Sequence, residues 1–74
     1  MTAEELIAVV DRLEDRAEAY VTLDQVQAAA GETVEWAITE HLLLVDYRSR
    51  LDGSSVTLCR LNRRHPLVAR LTAW

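Results

Sequence analysis

Apolar residues return at helical spacing from the first turn of the chain, at Leu6, Val9, Val10, Leu13 and Ala17. This spacing predicts an amphipathic helix of about four turns. Thr2 followed three residues later by Glu5 is the signature of a capping box at its start. The opposite side carries Arg12 and Arg16 among Glu5, Asp11, Glu14, Asp15 and Glu18, and reads as a solvated face.

Tyr20 and Val21 make a short β-favouring step, after which Thr22 and Gln25 repeat the capping signature ahead of Leu23, Val26, Ala29 and Ala30. A second, short helix follows from this. Gly31 ends it, because glycine takes the left-handed backbone that closes a helix, and the pattern restarts through Val34, Ala37, Ile38, His41 and Leu42. Two helices joined by a tight glycine turn predict a helix-turn-helix over residues 22–43, its second helix covering 33–43.

The period then changes from 3.6 to 2. Val45, Tyr47 and Leu51 alternate with Asp46, Arg48 and Arg50, and a second alternating run goes from Val56 to Leu61. Asp52-Gly53 between them predicts a β-hairpin over residues 44–62, because both residues tolerate the positive φ that a tight turn demands. Pro66 suits the first position of a last helix over 66–74, with Leu67, Leu71 and Trp74 on one stripe. That helix is too short to stand alone in water, so its stripe must dock on the body.

Helix, short strand, helix, glycine turn, helix, hairpin is the element order of winged-helix domains, and residues 22–48 resemble their helix-turn-helix. The likeness covers residues 2 to 62 and implies an α+β winged-helix domain: helix, short strand, helix-turn-helix, two-stranded hairpin wing, short C-terminal helix. By this resemblance the third helix would be the recognition helix and the hairpin the wing. The scaffold serves DNA-binding regulators and protein-interaction modules alike, so it does not fix a function.

Charge makes the DNA expectation difficult. On a helical wheel Val34, Ala37, Ile38, His41, Leu42 and Val45 share one side of the third helix, leaving Glu32, Trp36, Thr39, Glu40 and Leu43 outward with Glu35 at the edge. Duplex DNA carries one charge per roughly 1.7 Å of axis, so three carboxylates without a Lys or Arg beside them oppose groove insertion. Trp36 and Leu43 rimmed by glutamates instead resemble a protein-docking patch, since Trp is a frequent anchor of interface hot spots. Two arrangements stay open: the patch is free, or Leu67, Leu71 and Trp74 fold back over it.

Residues up to Asp46 hold eleven acids and two arginines; those beyond hold six arginines and Asp52. Such segregation implies oriented association, with a partner or with a second copy. Arg48, Arg50, Arg60, Arg63 and Arg64 on and after the hairpin are the candidate nucleic-acid contacts in the alternative reading, in which a transcriptional regulator or architectural protein grips backbone through its wing. Their other assignment is pairing with the acidic helices of the same molecule.

The 74 residues allow one domain, residues 1–74, and leave little for a buried active site. Half are apolar and 27% charged, which favours a globular chain over a disordered one. The single cysteine, Cys59, and the histidines His41 and His65 have no metal-ligand spacing. Glu14 with Glu18 has helical spacing but no cleft, and there is no glycine-rich phosphate loop. No catalytic residue, metal, cofactor or small-molecule substrate is therefore expected. No run approaches the roughly 20 apolar residues of a membrane span, and Glu4 and Glu5 are unlike a signal peptide, so the expected location is the cytoplasm without membrane contact.

Overall fold

In the computed structural model, which describes residues 1–17 and 20–73, the first helix α1 runs Ala3–Arg16. Both bonds of its capping box form: the Thr2 hydroxyl accepts from the Glu5 amide, and the Glu5 carboxylate accepts from the Thr2 amide. Leu6, Ile7 and Val10 are its buried residues, and Val9 is half-buried. The buried stripe thus includes Ile7, which the sequence pattern omits. This helix is the hub of the fold, packing on α2 (Leu23–Ala30), α3 (Thr33–Thr39), β2 (Ser55–Leu61) and α4 (Pro66–Leu71).

Thr22 caps α2 through the same reciprocal bonds with Gln25, and Gly31 ends it at φ 60°. The third helix stops four residues earlier than the apolar pattern predicts. The His41 amide donates to the Ile38 carbonyl and the Leu42 amide to the Ala37 carbonyl, at 3.1 and 2.9 Å, with His41 at φ 61°. These bonds define a Schellman motif, usually closed by glycine and here closed by a histidine. Leu42 and Ala37, the two positions where such a motif places its apolar contact, are both buried in the core. His41 is therefore an exposed cap, not an inward helical residue.

Strand β1 (Leu43–Ser49) pairs antiparallel with β2, from Leu43 opposite Leu61 to Ser49 opposite Ser55. On the far side of β2, an isolated bridge joins Thr22 to Leu58, and the Cys59 amide donates to the Val21 carbonyl at 2.9 Å. The short step before α2 thus lies alongside β2 and ties the helix-turn-helix to the hairpin. The turn differs from the expected two-residue form. Arg50 and Ser54 close the ladder, the Gly53 amide donates to the Arg50 carbonyl, and only Gly53, at φ 88°, is left-handed. That is a three-residue loop with a glycine bulge.

Alternation places Leu43, Cys59 and Leu61 in the core with Val26, Val34, Ala37 and Leu42. The last helix starts at Pro66 behind His65, whose Nδ1 accepts from the Leu67 amide. Val68, not the expected stripe, is its fully buried residue; Leu67 is half-buried and Leu71 is 42% exposed. The helix docks on α1, and the expected position of Trp74 on its stripe lies outside the described residues. The architecture is a mixed α+β domain whose described residues form four helices and a two-stranded hairpin.

Candidate functional site

Val34 and Ala37 turn α3 onto the core, and at about 100° per residue this leaves Glu35, Trp36 and Thr39 facing away from it. Trp36 is 47% exposed, and Glu32, Glu35, Thr39 and Glu40 around it are exposed too. Thr39 turns its hydroxyl back to the Glu35 carbonyl at 3.1 Å. Glu32 precedes the helix without a side-chain capping bond, and Glu40 sits at its C-terminal end, where the helix dipole disfavours an acid. Among the described residues, none of these three carboxylates forms an ion pair or a hydrogen bond within the chain.

The structure corrects one member of this site. Leu43 is 1% exposed and lies in the core, because the Schellman motif ends the helix before it and strand alternation then sets its direction. Trp74 lies outside the described residues. A residue the sequence reading omits joins instead: Met1, 53% exposed, lines a shallow depression with Ala3, Glu32, Thr33 and Trp36. This juxtaposition comes from the packing of α1 on α3, which no local sequence signal announces.

The arginines divide into two groups. Arg63 bonds Asp11 at 3.0 Å and also Glu14, both on α1, and Arg48 bonds Asp46 of its own strand at 2.9 Å. Arg50, Arg60 and Arg64 are exposed and have no ion-pair partner among the described residues. An open groove of about 370 Å³ runs along the outer face of the hairpin, between Tyr20, Leu44 and Leu58 and the guanidinium-bearing Arg48, Arg60 and Arg63. Its walls carry Glu14 and Asp46 as well, so its charge is mixed.

Cys59 lies at the base of that groove, only 2% exposed. Burial, and secondarily the Glu14 carboxylate, push its thiol from an ordinary 9.0 up to about 11, so it stays protonated near neutrality. Among the described residues, no group of three or more His, Cys, Asp or Glu side chains is placed to hold a metal ion, and no helix is long and apolar enough to cross a membrane. No family model matches the chain, and no curated protein or solved structure is significantly similar to it.

Proposed function

We propose that this chain is a non-catalytic winged-helix module of the cytoplasm that docks a basic protein surface on the outward face of α3. The winged-helix assignment is supported by the element order and by the bridge that lays residues 21–22 beside β2, so that short strand, β2 and β1 lie in that spatial order. The observation that carries the functional reading is Trp36, half exposed among three carboxylates that have no duty inside the described fold. An amphipathic indole supplies the anchor, and Glu32, Glu35 and Glu40 select cationic side chains around it.

The test is a displayed library of Arg- and Lys-rich peptides selected on the folded chain. Binders should place their chemical-shift changes on Glu32, Glu35, Trp36 and Glu40 and be lost in Trp36→Ala and in Glu35→Lys. Selected peptides that bind both variants undiminished would defeat the proposal.

A second reading rests on Arg50, Arg60 and Arg64, which are exposed without a carboxylate partner among the described residues. A winged-helix protein holding nucleic acid through these arginines would bind duplex DNA with an affinity that falls steeply as salt rises. Resonances of these three would then shift on titration, while those of α3 would stay in place.

A further inference from the structure

The hairpin has one strand with an unused edge. Beside β2 lie β1 on one side and the Val21–Thr22 step on the other, so β1 is outermost. The Leu42 carbonyl accepts from the Asn62 amide and the Arg50 amide donates to the Ser54 carbonyl, which fixes the parity of the ladder. Leu44, Asp46 and Arg48 therefore spend their backbone groups on β2, and the amides and carbonyls of Val45, Tyr47 and Ser49 point out of the sheet. Among the described residues, none of those outward groups has a backbone or side-chain partner. The edge is exposed from Asp46 onward, and its pairing with β2 runs without a bulge or proline. Among the described residues, what guards it against another strand is a pair of charges of opposite sign, Asp46 and Arg48, which bond each other at 2.9 Å.

Opposite signs protect an edge in some registers and favour pairing in others. Two copies meeting edge to edge across a two-fold axis pair antiparallel, each residue at distance n from the axis facing the residue at distance n on the other side. With the axis at Asp46 or at Arg48, a like charge faces itself; with the axis at Ser49, Arg48 faces Arg50. With the axis at Tyr47, Asp46 of each copy faces Arg48 of the other, and the outward groups of residues 45, 47 and 49 meet in about six hydrogen bonds. The same register sets the two Tyr47 rings, each 76% exposed, beside one another. It also sets Arg50 opposite Leu44 of the second copy, four positions along the chain from that copy's Glu40, whereas ten positions separate Arg50 from Glu40 within one chain.

We propose that this edge is a homodimer interface, in which β1 of two copies pair antiparallel about Tyr47 and join the two hairpins into one four-stranded sheet. The segregated charge of the chain then acts within the pair: the arginine-bearing tip of each hairpin approaches the acidic half of the other molecule. The strand pairing lies on the hairpin and does not use Trp36, so it stands whether or not the α3 face binds a protein.

Sedimentation of the full chain from about 10 μM to about 1 mM tests it, spanning the range expected of a modest interface. A concentration-dependent monomer–dimer equilibrium is expected. Tyr47→Pro removes an outward amide without touching the β1–β2 bonds, so it should abolish the dimer while leaving the circular dichroism spectrum unchanged. Asp46→Arg should weaken dimerisation tenfold or more, and combining it with Arg48→Asp should restore it to within about threefold, since the facing signs are opposite again. The exchange of charges keeps the test decisive even if the proline variant unfolds. A monomer at every concentration, a dimer untouched by Tyr47→Pro, failure of the double variant to recover, or loss of the dimer in Trp36→Ala alone would each overturn the proposal.

Discussion

The Glu14 carboxylate on α1 accepts the backbone amide of Leu61 at 2.8 Å, joining residues 47 positions apart. Glu14 is only 21% exposed, and it also bonds Arg63, just after the strand. One side chain thus satisfies the end of β2 and neutralises a nearby guanidinium. Glu14→Ala leaves the part-buried Leu61 amide without a partner and should cost about 2–3 kcal/mol. Glu14→Gln keeps a carbonyl acceptor for that amide and loses only the charge pairing, so about 1 kcal/mol is expected. Urea denaturation of the three proteins gives both numbers, and equal losses would assign the effect to the ion pair.

His41 occupies the left-handed position of the motif that ends α3, at φ 61°. A non-glycine residue there carries a conformational cost. Its carbonyl accepts from the Asn62 side-chain amide at 2.9 Å, a bond that any residue at this position keeps. His41→Gly should therefore stabilise the domain by up to about 1 kcal/mol, offset in part by the greater entropy of glycine in the unfolded chain. Thermal unfolding would show a higher midpoint; a lower one would mean that the imidazole has a role its exposure does not suggest.

Most of the fold was legible because its signals are local. Thr2 with Glu5, Thr22 with Gln25, Gly31, the change of period after Leu42 and Pro66 each act within a few residues, and each marks an element boundary that the structure contains. The end of α3 was not legible, because Glu40, His41, Leu42 and Leu43 continue an apolar pattern that a helix would satisfy. The Leu42 amide's bond to the Ala37 carbonyl and the pairing of Leu43 with Leu61 take the chain out of the helix. That single boundary moved Leu43 from the candidate site into the core. Glu14 was hidden for a related reason: among the carboxylates of a wet helix face, nothing nearby in sequence distinguishes the one that meets a strand end. Trp36 and Glu35 were legible because they lie within the part of α3 where the helical period holds, and Glu32 and Glu40 because they flank that helix directly in sequence.

The thiol of Cys59 makes stability fall at alkaline pH. In the unfolded chain it loses its proton near its ordinary 9.0, whereas burial in the native state holds the proton to about 11. Between those values the native state binds more protons than the unfolded one, so stability is intact below pH 9 and declines as pH rises toward 11. The loss should reach roughly 1–2 kcal/mol and be absent from Cys59→Ala, whose own packing loss does not depend on pH. Denaturation curves of both proteins at pH 8 and pH 10.5 isolate it. Native Cys59 should also react slowly with iodoacetamide at pH 8 and rapidly once urea unfolds the chain.

Trp36 separates binding from folding. Its 47% exposure leaves roughly half the indole in water, against Val34 and Ala37 on the same helix, which are 1% and 0% exposed. Truncating a core residue of α3 such as Val34 to alanine should cost about 1–3 kcal/mol through lost burial and the cavity left behind. Trp36→Ala, at a half-exposed position outside the buried core, should cost less than Val34→Ala does, about 1 kcal/mol. In a Trp74→Phe background, where Trp36 is the remaining indole, acrylamide should quench its fluorescence in the native state nearly as well as in urea. A large stability loss together with poor native quenching would mean that the indole is a packing element of the fold. The apolar anchor proposed for the α3 face would then not exist.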